Sequence, residues 1–336
     1  MGRPLHTVIA ATADGRALRA AVLAAVVAGL VGPIALGLWE TLRAAAGHAP
    51  TLGAQGPSLA PLLTLLDRPG LGTAVAVTVW TGLGSTAASV ALAFAAVAMG
   101  HRVLAGRRGA RLLAPLLAAP HAAVAIGLAF VLAPSGWVVR LVAGPLGLVH
   151  PPGLALVGDP WGIALMLGLV VKEVPFLILM ILSALTQIPL RETLATGRSL
   201  GYGRGIVWVK LVVPQVWPML RLPVLVVLAF SLSVVDMALI LGPSNPPTLA
   251  VLVMRLFSDP DIALRLPASA GALLQLALVL AAFGLVLAAE RTLRAVGLWW
   301  LRAGGRGWPA GPILHAFGVA SLVALALGAL ALLALA

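Results

Sequence analysis

Seven apolar runs, each about as long as a bilayer is thick, constrain this chain more than any other feature; they cover about residues 18–38, 73–99, 112–132, 161–185, 211–241, 268–289 and 313–336. Roughly 20 apolar residues in a helix match the hydrocarbon core. Lipid offers no partner to a backbone N–H or C=O, so each run must satisfy its own as a helix. The apolar–polar alternation of a β-barrel strand is missing. The runs predict an all-α, polytopic transmembrane helical bundle. Composition agrees: 61% of residues are hydrophobic and 10% charged. The mean hydropathy is +1.08. The first run is long and carries no cleavable-signal pattern, so it reads as a retained span.

A net charge of +12 would point to nucleic acid in a soluble protein. Here the basic residues mark topology, and no nucleic acid partner is expected. With the N-terminus in the cytoplasm, the inner flanks hold Arg3, Arg16 and Arg19; Arg102, Arg107, Arg108 and Arg111; Arg191, Arg198, Arg204 and Lys210; and Arg291, Arg294, Arg302 and Arg306. The outer loops hold only Arg43, Arg68, Arg140, Arg255 and Arg265, so every alternate loop obeys the positive-inside rule. The outer stretches 53–61, 134–160 and 242–247 are rich in Pro and Gly and read as ordered but irregular.

Several chemistries are excluded. There is no cysteine, hence no disulfide, thiol chemistry or cysteine metal site. Both lysines, Lys172 and Lys210, follow valine, whereas a phosphate loop needs Gly before Lys and Ser or Thr after it. No His-Glu-x-x-His or paired-carboxylate pattern occurs, and the serines stand without a nearby catalytic partner. The chain is therefore not expected to be an enzyme, and no catalytic residue, metal or cofactor is assigned. His121 and His315 read as polar packing residues, and most tryptophans, Trp208 among them, read as interface anchors.

The charged residues within the fourth and fifth spans are Lys172, Glu173, Arg221 and Asp236. An ionisable group at membrane depth is costly and marks either a function or a buried pairing. Pro175 follows and should kink the fourth span by removing a helix hydrogen bond. Lys172, Glu173 and Asp236 are the candidate translocation path. The alternative is structural pairing, Glu173 with Arg221 or Lys172 with Asp236.

The inner loop between the fourth and fifth spans reads Ala195-Thr196-Gly197-Arg198-Ser199-Leu200-Gly201 and ends Leu211-Val212-Val213-Pro214. Gly201 can take a sharp bend without a Cβ penalty, and Pro214 suits a first helical turn. This loop resembles the segment by which permease subunits of ABC importers grip their ATPase. The family's motif runs Glu-Ala-Ala, three residues, Gly, nine residues, Ile, one residue, Leu-Pro. Here Gly201, Leu211, Val213 and Pro214 keep the spacing, while Glu-Ala-Ala is replaced by Ala195-Thr196-Gly197 and the nearest acid is Glu192. That departure leaves open how the first short helix is anchored. The segments 171–176 and 233–236 are similar to permeases of the iron, thiamine and polyamine importer group.

The resemblance implies a type I ABC importer permease fold (MetI-like). It implies a solute path coupled to a separate cytoplasmic ATPase through Ala195, Thr196, Gly197, Leu200, Gly201 and Pro214. The implied partners are ABC ATPase subunits, a periplasmic or extracellular solute-binding protein, a second permease half or subunit, and membrane lipid. The implied location is the bacterial inner membrane, multi-pass. Three regions are expected: 1–72, an N-terminal helix and outer loop; 73–290, the permease core; and 291–336, a basic linker and a helix that opens a second permease half. The rival is a secondary transporter driven by an ion gradient, which should show an inverted repeat, discontinuous helices and midplane carboxylates.

Overall fold

Helices follow the apolar runs, and prolines and glycines decide where they stop. The computed structural model describes residues 5–145, 147, 150, 156–302 and 310–335. Of the described residues 81% are helical, and among them seven helical stretches are long and apolar enough to cross a membrane. The protein is an all-α, polytopic transmembrane helical bundle.

The chain divides into two units. One comprises residues 1–67 and 256–273. It contains α1 (Leu5–Ala45), whose described apolar side chains are exposed as lipid-facing ones would be. A short antiparallel hairpin follows, β1 (His48–Ala49) and β2 (Ala54–Gln55). Helix α2 (Ala60–Leu66) comes next.

The other unit, residues 68–255 and 274–336, is built on α3 (Leu71–Leu104). Then come α4 (Arg107–Ala118), α5 (His121–Leu132), α6 (Trp137–Ala143) and α7 (Ile163–Leu185). They are followed by α8 (Leu190–Ser199), α9 (Arg204–Val207), a π-helical turn (Trp208–Val212), α10 (Val213–Ser233) and α11 (Asp236–Leu241). The unit boundaries cut α12 (Leu249–Phe257) and α13 (Arg265–Arg302), and α14 (Ala310–Leu333) closes the series.

Small residues let these helices approach closely, as membrane bundles require. Helix α3 packs chiefly on α7, and also on α10 and α14. A Cβ at Gly82 of α3 would meet Leu232 Cδ2 at 2.5 Å, and one at Gly168 of α7 would meet Leu241 Cδ1 at 2.6 Å. Buried Thr78, Thr81 and Thr86 return their hydroxyls to carbonyls one turn back, at 2.7, 2.8 and 2.7 Å. Their polar atoms are thus satisfied within α3. The seventh apolar run, α14, lodges against α3, α5 and α7. A Cβ at its Gly328 would meet Leu116 Cδ2 at 2.7 Å and Val171 Cγ1 at 2.8 Å.

The structure corrects several expected boundaries. The third run is two helices, because Pro120 lacks an N–H and turns Ala119 extended (φ −65°, ψ 136°). The fifth run breaks at Val234 and Val235, the latter at φ −110°. The stretch 134–160 holds α6, and α12 follows the 242–247 stretch. Helix α7 runs through Pro175 as one assigned helix.

Each interruption frees backbone groups, and distant polar side chains take many of them. Lys172 Nζ donates to the carbonyls of Leu116, Leu117 and Ala119 at 2.8, 3.3 and 2.7 Å. Gln275 Nε2 donates to Leu232 O at 3.2 Å, just before the α10 break. The Leu249 N–H opening α12 donates to Thr78 Oγ1 at 2.8 Å. At the start of α7 the Asp159 carboxylate accepts from the N–H groups of Trp161, Ile163 and Ala164 at 3.1, 2.9 and 3.1 Å. Asp159→Ala should lower stability by about 1–2 kcal/mol, the usual loss for a helix N-terminal cap. A thermal melt of the purified protein in detergent reads this as a lower Tm with unchanged helical content.

Candidate functional site

The segment between α7 and α10 is a short helix, a sharp turn and a second short helix. Helix α8 ends in a Schellman motif. The Tyr202 N–H donates to Gly197 O at 3.1 Å and the Gly201 N–H to Arg198 O at 2.9 Å. Gly201 has φ +79°, the left-handed region where a Cβ is strained. The bend expected at Gly201 is present.

Gly197 does something sequence reasoning did not foresee. It is buried, and a Cβ there would meet Val207 Cγ2 at 2.5 Å, Val207 Cγ1 at 2.9 Å and Leu211 Cδ1 at 3.2 Å. The absent side chain lets α8 lie directly on α9 and the π-turn. Ala195, Thr196 and Leu200 are exposed, Leu200 by 50%. The loop thus presents one apolar-tipped face outward and holds the other to the bundle.

Three contacts tie the second helix down. Gly100 interrupts α3 (φ −131°, ψ 22°), and Arg204 Nη2 donates to the carbonyls just before it, Ala98 at 3.2 Å and Met99 at 3.4 Å. Lys210 is buried with its Nζ 4.2 Å from the Trp300 ring centre and 5.2 Å from that of Tyr202. This cation–π contact joins the turn after Gly201 to the end of α13. Trp208, read from sequence as an interface anchor, is 2% exposed and packs on His101 with ring centres 5.8 Å apart. Pro214 sits in the first turn of α10 directly after the π-turn. It has no N–H for the carbonyl one turn back, and the widened turn accommodates its ring.

The charged residues at membrane depth separate into different roles. Lys172 is 7% exposed and spent on the three carbonyls at the α4–α5 break. It does not pair with Asp236. Arg221 does not pair with Glu173; its Nε donates to Glu290 Oε2 at 2.9 Å and its Nη2 to Glu290 Oε1, joining α10 to α13. Glu173 is 6% exposed and makes no hydrogen bond or ion pair among the described residues. Asp236 is exposed at the head of α11, where its Oδ1 accepts the Met237 N–H at 2.8 Å. His121 lies within electrostatic reach of both Lys172 and Asp236, and its ring packs tilted against Phe230 with centres 4.4 Å apart. Lys172 is thus adjacent to the break in one helix, and Asp236 marks the break in another. Asp159, Gln275 and Glu290 entered through the structure alone; an Asp just ahead of an apolar run was the one signal the sequence held for any of them.

Fold and site together define a polytopic helical membrane protein with an exposed helix–turn–helix on its arginine-rich end. No protein-family model matches the chain. It is similar to the inner membrane ABC transporter permease protein YnjC of Escherichia coli, 38% identical over 171 residues. The match covers 51% of this chain and 32% of YnjC, so the chain spans about a third of that relative's length.

Two outcomes follow. Lys172→Met strands three carbonyls and should cost about 2–3 kcal/mol, the penalty for unsatisfied groups that faced a charge; an unchanged Tm would refute the latch. Gly197→Val should lift α8 off Val207 and Leu211. Hydrogen exchange would then accelerate across residues 190–203 and stay unchanged in α7.

Proposed function

We propose that this chain is the permease subunit of an ABC importer, forming part of a solute path in the bacterial inner membrane with its N-terminus in the cytoplasm. The observation that carries this reading is the loop of α8, Gly201 and α9. Its exposed face offers Ala195, Thr196 and Leu200 to a partner, while Gly197, Arg204 and Lys210 bind it to the bundle. A partner gripping that face would move the bundle as a rigid body. The similarity to YnjC and the basic residues on alternate loops support the same reading.

ATP hydrolysis then belongs to separate cytoplasmic subunits docked on α8, and capture of solute to a binding protein on the other side. The permease core then begins near residue 73 and takes in α14, which packs on α3, α5 and α7, and a second permease half or subunit completes the path. Within the membrane, Glu173 is the polar group left for the path, with Asp236 near the broken fifth span; Lys172 serves the architecture. The importer belongs to the group handling iron, thiamine or polyamines.

A second reading keeps a specific observation: the fifth span is discontinuous and the fourth carries a buried carboxylate, Glu173, as in ion-driven transporters. One experiment separates them. The chain is co-expressed with a candidate ABC ATPase and a candidate second permease half, purified, and reconstituted. Coupling through α8 predicts ATP-dependent uptake, with ATPase capture weakened at least about tenfold by Leu200→Asp, which puts a charge in an apolar contact. Uptake that follows an ion gradient and ignores ATP would install the second reading.

A further inference from the structure

A cleft of about 240 Å³ opens at the arginine-rich end, walled by Ala98, Met99, Arg204, Trp208, Leu314 and His315. Its polar chemistry is one-sided, because no Asp or Glu lines it among the described residues. Arg204 is exposed and forms no ion pair among the described residues. One of its nitrogens, Nη2, holds the carbonyls of Ala98 and Met99, which fixes the guanidinium and leaves Nε and Nη1 to donate. Trp208 is 2% exposed, yet its Nε1–H has no acceptor among the described residues. A buried indole N–H ordinarily has a partner. His101 packs tilted against Trp208, and its Nδ1 is also buried and unpartnered among the described residues. His315 brings an imidazole to the lining, while Met99 and Leu314 supply apolar surface.

We propose that this cleft binds a phosphate-bearing anion, the headgroup of an anionic phospholipid. A planar guanidinium held at one corner suits two phosphate oxygens. Trp208 and His315 line the same cleft and would supply the remaining donors to the headgroup. Inorganic phosphate shares this chemistry, but the apolar wall and the place at a bundle end fit a lipid, whose acyl chains need such a surface. The bound headgroup rests on Arg204 and Trp208, directly after the turn at Gly201, so lipid charge would stiffen the loop proposed to meet the ATPase. The site is separate from the Glu173 region and does not depend on the direction of transport.

Native mass spectrometry of the full purified chain, titrated with phosphatidylglycerol, phosphatidylcholine or inorganic phosphate, tests this. The expected result is retention of phosphatidylglycerol at least about tenfold tighter than phosphatidylcholine, one strong charged contact's worth. Arg204→Gln and Trp208→Phe, the latter keeping the packed ring, should erase most of that preference. Phosphate binding with no lipid preference, lost in the same variants, would keep the anion site and assign it to the free ion. If Arg204→Gln fails to fold, Trp208→Phe and His315→Gln carry the comparison. Equal retention of both lipids without phosphate binding, or a preference untouched by these substitutions, overturns the proposal.

Discussion

A helix broken at membrane depth frees carbonyls and N–H groups that lipid cannot satisfy, and the architecture depends on how this chain answers each break. The α4–α5 break at Pro120 is held by Lys172 from α7. The break near Gly100 in α3 is held by Arg204 from α9. The end of α10 is held by Gln275 from α13, and the start of α12 by Thr78 from α3. Each donor or acceptor comes from a different helix, so the interruptions that would weaken single helices instead lock pairs together. This explains a lysine buried in an apolar helix without a carboxylate hydrogen-bonded to it: three carbonyl dipoles take the place of a counter-charge.

The same logic shapes the loop between α7 and α10. Its short helix cannot be stable alone, since a helix of ten residues is marginal in water. It is held by a Schellman cap at its end and by the missing side chain of Gly197 along its flank. The following turn is pinned by Arg204, Lys210 and the buried Trp208. A small exposed element on a rigid base can transmit force, whereas a flexible loop would absorb it. The departure from the Glu-Ala-Ala pattern acquires a physical meaning here: at position 197 the smallest residue allows the closest approach.

The membrane spans were legible because lipid imposes one rule on every backbone group, and a run of apolar residues is its direct imprint. The bend at Gly201 was legible for a similar reason, a left-handed conformation that few other residues accept. The roles of the charged residues were not. Lys172 and Glu173 are adjacent in sequence, yet one caps a distant break while the other has no hydrogen-bonding partner among the described residues. Arg221 had Glu173 as a plausible mate by composition, but α13 brings Glu290 to it instead.

By itself the sequence determined the number of spans, their helical state, the turn at Gly201 and the absence of a phosphate loop. Each follows from local composition, spacing or the conformational freedom of one residue. Only the tertiary structure decided where the third and fifth runs break, what satisfies the freed backbone groups, and which short helix is held against the bundle. Those outcomes rest on contacts between residues far apart in the chain, such as Lys172 with Ala119 and Arg204 with Ala98. Hydrogen bonds of a few ångströms are set by how helices pack, and helix packing is not written in any single segment.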